Sequence, residues 1–204
     1  MTKTEQFITA LHQVPQEVYR DFMKVARVVS LQYPYSFGID CFARGEGIEY
    51  GFAEEIGKYI NLKPNKKGQA NDPDYVFDGC IFPDAKTQCS GMKPQKMGKK
   101  LFYTKQWDIQ KKAKGTSSFQ SKSDCYVLID PHYARIAVVD SAVFYGKKVA
   151  PNTARISFSV APENVVMIYD GAAEILDIQV EHDPNAIYRK IWEEASSKVQ
   201  RIKV

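Results

Sequence analysis

The order of apolar patterns along this 204-residue chain predicts an α/β (or α+β) domain: a central mixed β-sheet flanked by helices. Two observations carry that expectation. The first sixty residues show apolar positions at helical spacing, and the stretch from about 125 to 169 is dense in β-formers arranged in short runs. A closing segment, NAIYRKIWEEASSKVQRI, returns to helical spacing after Asp183-Pro184. Nothing repeats and no linker divides the chain, so residues 1–204 are expected to form one domain with an N-terminal helical portion at about 1–33.

Residues 4–13 read as a short helix, and Pro15 suits the first turn of a second, running to about Tyr33. Val18, Phe22, Val25, Val28 and Val29 share one side of it. YPYSFGIDCFARGEG, with Pro34, Gly38, Gly45 and Gly47, reads as a break. A helix is expected again from about Ile48 to Leu62, with Phe52 and Ile56 on its apolar stripe. Strands are expected at Cys125–Ile129 and Arg135–Val139 around an Asp130–Tyr133 turn, then at Arg155–Val160 and Val165–Tyr169.

Composition narrows function. Apolar residues make up 44% and charged residues 25%, with no apolar run near the ~20 residues that a membrane span needs. The N-terminal stretch lacks the features of a signal peptide, so a cytoplasmic location and no membrane partner are expected. Cys41, Cys80, Cys89 and Cys125 form no CxxC pair, which argues against structural zinc. Net charge is only +4, but its distribution is uneven: residues 93–122 hold nine lysines and a single acid, Asp108. Phe102, Tyr103 and Trp107 are interleaved. That basic segment is expected to contact nucleic-acid phosphates through Lys96, Lys99, Lys100, Lys105, Lys111 and Lys112; a solvated charged loop is the plainer alternative.

Just before it lies PDYVFDGCIFPDAKTQ, residues 73–88. Asp78-Gly79 is a good two-residue hairpin turn. Alternation along the strand that follows sends Asp84 and Lys86 to one face and Ala85 to the other. Asp74 and Asp84 are then placed to hold Mg²⁺ between them, the Ala85 carbonyl is a further oxygen ligand, and Lys86 reaches the attacking water or the scissile phosphate. Asp78 is the alternative first ligand. Hard oxygen donors without His or thiolate suit magnesium better than zinc.

Pro73-Asp74 followed by Asp84-Ala85-Lys86 resembles the signature of the restriction-endonuclease-like PD-(D/E)xK nuclease superfamily. The resemblance implies a mixed sheet flanked by helices and adds an acid from a preceding helix, Glu54 or Glu55, with Glu55 preferred because Phe52 and Ile56 hold the opposite side. It implies catalytic Asp74, Asp84, Lys86 and Glu55, metal ligation by Asp74, Asp84 and Ala85, and a Mg²⁺-dependent endonuclease acting on double-stranded DNA, with type II restriction enzymes among the members. Because double-strand cleavage needs two centres of opposite polarity and the chain offers one, a homodimer is expected, with residues 4–33 as its candidate interface. The competing expectations are a nucleic-acid-binding protein without catalysis, and a phage or mobile-element structural or interaction protein.

Overall fold

A computed structural model describes residues 1–32, 39–66, 72–87, 106–110, 121–131, 134–146, 155–160 and 162–171. Helix α1 spans Lys3–Leu11. It begins where Thr2 and Glu5 cap each other: the Thr2 hydroxyl accepts from the Glu5 amide at 3.1 Å and the Glu5 carboxylate from the Thr2 amide at 2.6 Å. Helix α2, Gln16–Gln32, follows Pro15 and buries Tyr19, Phe22, Met23 and Ala26. Of the stripe expected from sequence, Phe22 is buried and Val18 and Val29 pack against the core, whereas Val25 is exposed.

Helix α3 spans Ile39–Ile56 and corrects the expected break. It runs through Gly45 and Gly47, although glycine costs about 1 kcal/mol in a helix interior. Burial of Ile48, Phe52, Ala53 and Ile56 accompanies that cost, at ~1.5–3 kcal/mol for a large apolar side chain. The helix also stops six residues before the expected Leu62. Gly57 allows the stop, since a Cβ there would lie 2.4 Å from the Ala53 carbonyl oxygen and 2.6 Å from that of Leu62.

Strand β1, Leu62–Pro64, pairs antiparallel with β2, Tyr75–Phe77. The turn then falls at Asp78-Gly79 as expected, with positive φ at both residues, 48° and 72°. One bridge, Phe77 to Ile81, closes it. The chain does not continue as a hairpin ladder. Strand β3, Pro83–Thr87, pairs parallel with β5, Cys125–Asp130. Strand β5 pairs antiparallel with β6, Arg135–Asp140, and β6 with β8, Val165–Asp170. The result is a mixed four-stranded sheet in the order β3-β5-β6-β8. Among the described residues β3 is an edge strand, where Pro83 at its first position removes no central ladder bond.

Strand β4, Gln106–Gln110, lies inside the basic segment read from sequence as an arm, and pairs antiparallel with β7, Arg155–Ser159, as a separate two-stranded sheet. The six lysines expected to touch phosphate lie outside the described residues, as does the C-terminal segment expected to be helical.

One face of the four-stranded sheet carries Ala85, Val127, Ile129, Ile136 and Val138 against Phe7, Leu11, Tyr19, Met23, Phe52 and Ile56 of the helices. Tyr126, Leu128, Ala137 and Val139 form the other face with Phe144 and Val160. The apolar sides of α1 and α2 are thus spent within the chain's own core, which removes the reason for choosing residues 4–33 as a dimer interface. Among the described residues no helix is long and apolar enough to cross a membrane.

Candidate functional site

Asp74 immediately precedes β2, and Asp84 and Lys86 lie on β3. Although β2 and β3 share no ladder, the turn between them returns the chain close enough for the Asp74 Oδ2 to accept a hydrogen bond from the Ala85 amide at 2.8 Å. That bond fixes one carboxylate to the backbone of the strand carrying the other. Ala85 is fully buried in the helix-side core, so alternation turns Asp84 and Lys86 to the opposite face. Their pairing register with Tyr126 and Leu128 places them above the second core cluster.

The Lys86 Nζ forms an ion pair with Asp84 Oδ2 at 2.5 Å and donates to the Ala85 carbonyl at 2.9 Å. The Lys86 and Asp84 side chains are 22% and 14% exposed. Burial pushes the Asp84 carboxyl up to about 8; the Lys86 charge opposes the shift, while the hydrogen-bonded Asp74 carboxyl and its charge add to it. Two acids in contact in a dry setting hold a proton that either would lose in water. Burial by itself would lower the Lys86 pKa, but Asp84, Asp74 and Glu49 together outweigh it and raise it, so the ammonium remains charged.

Glu49 was not singled out from sequence. It lies on α3, half-buried, and its main-chain carbonyl accepts from the Tyr75 hydroxyl at 2.8 Å, tying the helix to the residue after Asp74. Tyr75 is buried and held well above the ordinary phenol value, first by desolvation and then by the charges of Glu49, Asp74 and Asp84. The expected helical acid, Glu55, instead faces solvent and pairs with Lys58 at 2.6 Å. Glu54 is exposed and hydrogen-bonded with Tyr50. Asp78 sits in the turn, accepting from Asn61 at 3.0 Å. The helical signal for Glu49 was present: it stands three residues before Phe52 and four before Ala53, on the flank of the buried stripe. Preferring the side opposite Phe52 and Ile56 selected a solvent-facing acid.

The donor set fits a hard dication. Two contiguous carboxylates and a main-chain carbonyl already surround a cation, the Lys86 ammonium. Among the described residues no group of three or more His, Cys, Asp or Glu side chains is placed to hold a metal. A two-carboxylate site of this kind leaves positions for water and phosphate oxygens, as magnesium prefers. Of the two cysteines whose side chains are described, Cys80 is exposed in the turn, and burial pushes the Cys125 thiol up, away from the thiolate.

The chain matches no protein-family model, no curated protein and no solved structure.

Proposed function

We propose that the chain is a Mg²⁺-dependent endonuclease of the PD-(D/E)xK type, hydrolysing phosphodiester bonds of double-stranded DNA in a restriction system. One observation carries the reading: Asp74, Asp84 and Lys86 meet at the backbone of Ala85 with both acids in contact and a charged amine beside them.

Asp74, Asp84 and the Ala85 carbonyl would hold the metal. A divalent cation, when bound, supplies a Lewis acid for the phosphoryl oxygens and lowers the pKa of water. The chain's own contributions follow from the geometry. The Ala85 amide anchors Asp74, so the two carboxylates keep their spacing as the substrate arrives. Lys86 stays protonated and offers its charge to the pentacoordinate phosphate or the water that attacks it. Glu49 adds negative charge behind the amine and favours its charged form. Lys96, Lys99, Lys100, Lys105, Lys111 and Lys112 are the proposed phosphate contacts along the duplex, and a homodimer is the proposed assembly for cutting both strands.

A second reading, a DNA-binding protein without catalysis, has one observation in its favour: Lys86 already satisfies Asp84 and the Ala85 carbonyl, so the cluster is complete as a structural ion pair. Incubation of supercoiled plasmid with the protein and Mg²⁺, with and without EDTA, separates the two. Cleavage that chelation abolishes supports the nuclease; salt-dependent binding with intact plasmid overturns it in favour of the second reading. Neutralising Lys99 and Lys100 together is expected to flatten the slope of log affinity against log salt by about 2. An unchanged slope removes those two lysines from the interface.

A further inference from the structure

Lys86 is bounded on three sides. Asp84 and the Ala85 carbonyl take two of them by direct contact, at 2.5 and 2.9 Å. The third is aromatic: the ammonium lies over the Tyr126 ring, 5.8 Å from its centroid. We propose that Tyr126 is a positioning residue for Lys86, its ring forming the wall that holds the ammonium against Asp84 and the Ala85 carbonyl. The effect on turnover rests on the nuclease reading above; the hold on the amine does not.

The parallel register explains why this ring is there. Asp84 pairs with Tyr126, and residues paired across adjacent strands point to the same face, so the ring sits beside Asp84 on the face that Lys86 also occupies. The ring itself has little freedom. Tyr126 is 2% exposed, stands edge-on to Phe144 with centroids 5.9 Å apart, and its hydroxyl donates to the Ser121 Oγ at 2.7 Å. A lysine has four rotatable side-chain bonds and three donors, so a single ion pair leaves its head free to swing. The negative π face of a fixed ring attracts the ammonium without accepting its protons. The three donors remain available for the carboxylate, the carbonyl and a substrate oxygen. Carboxylate in that third position would compete for the same protons; an aliphatic side chain would give shape without attraction. Tyr126 thus holds Lys86 while leaving its hydrogen bonds uncommitted.

The test replaces Tyr126 with phenylalanine, leucine and a series of fluorinated phenylalanines, whose size changes little while the negative face weakens with each fluorine. Two readouts are taken. In protein carrying ¹³Cε-labelled lysine, the Lys86 signal, assigned by its loss in Lys86→Arg, is expected to be ring-current shifted and ordered in the wild type and in Tyr126→Phe. The shift is expected to vanish in Tyr126→Leu, and order to decline stepwise through the fluorinated series. With duplex DNA and Mg²⁺, kcat is expected to fall about tenfold from Tyr126→Phe to the most fluorinated ring, with KM unchanged, because the amine acts on the transition state. A Lys86 signal indifferent to the ring at position 126 overturns the proposal. Should Tyr126→Leu not fold, the isosteric series decides. If wild-type protein leaves DNA intact, the nuclease reading fails while the Lys86 signal still judges Tyr126.

Discussion

Two clusters of charge sit on the described sheet, and their ledgers differ. At the β3 edge, Asp74, Asp84 and Glu49 surround one amine, Lys86, a ratio of three acids to one base. Across β5, β6 and β8, two bases meet two acids: Arg135 is paired with Asp170 at 3.0 Å and stands opposite Asp130, which in turn acts on Arg27 of α2. The second cluster is neutral and holds the end of the sheet to a helix. The first has more acids than its own cation answers, and the neighbouring Asp74 adds to burial, the larger cause, in pushing the Asp84 carboxyl up to about 8. Burial is common to both clusters; burial combined with an excess of acids is peculiar to the first.

The sharpest way to break this comparison is to neutralise one acid in each cluster. Asp84→Asn is expected to lower metal-dependent cleavage about 10³-fold or more while leaving the fold intact, because the proton it carries near neutrality already makes it half amide-like. Asp130→Asn is expected to do the reverse. It removes the buried charge that acts on half-buried Arg27, costing about 3–5 kcal/mol of stability with no change in turnover per folded molecule. Denaturant titration beside plasmid cleavage reads both; a stability loss in Asp84→Asn matching that of Asp130→Asn would erase the distinction.

A change of pH tests the same excess. The folded Asp84 carboxyl titrates near 8 against an ordinary 3.8, so the metal-free fold binds that proton more tightly than the unfolded chain does. Its contribution to stability is therefore full below the ordinary value and is lost as pH rises toward 8. Lys86, shifted upward, contributes stability that persists through this window. In EDTA, melting temperature is expected to decline between pH 5 and 8. Metal must displace the proton, so apparent Mg²⁺ affinity is expected to rise with pH, approaching tenfold per unit, and to level off near 8. Flat calorimetric affinity from pH 6 to 8 would show that no proton is displaced.

Smaller effects separate the two helical acids. Glu49→Gln is expected to slow cleavage several-fold and shift the alkaline limb of the rate profile downward, since it removes one of the charges that keep Lys86 protonated. Glu55→Gln loses only an exposed ion pair with Lys58, worth less than about 1 kcal/mol, and is expected to leave the rate unchanged. Equal pH profiles for the two variants would return Glu49 to the role of an ordinary helix residue.

Local chemistry was legible in the sequence, and long-range pairing was not. Asp78-Gly79 announced its turn because few residue pairs accept positive φ twice in succession. The β5–β6 hairpin was equally plain, with its run of β-formers and short connection. The sequence makes the acids at 74 and 84 hairpin partners, and they do meet, but through the Ala85 amide rather than a ladder. No signal near β3 says that it pairs parallel with a strand beginning 42 residues after Pro83. Glycines at 45 and 47 look like breaks because their propensity is local, whereas the packing that holds α3 through them is tertiary. Glu49 was missed for the same reason: which flank of a helix meets a strand depends on where that strand lies.

The parity of β3 has a consequence for how such a chain tolerates change over descent. Along Pro83–Thr87 the side chains alternate between the helix-side core and the face of the charged pair, and Ala85 is the pivot. Loss or gain of a single codon between Ile81 and Asp84, if the pairing with β5 is kept, turns both charged side chains inward and the alanine outward. Two codons restore the parity but move every partner one pleat along. Substitution can therefore drift through the surroundings of this centre, while the count of residues leading into it behaves as an all-or-none inheritance.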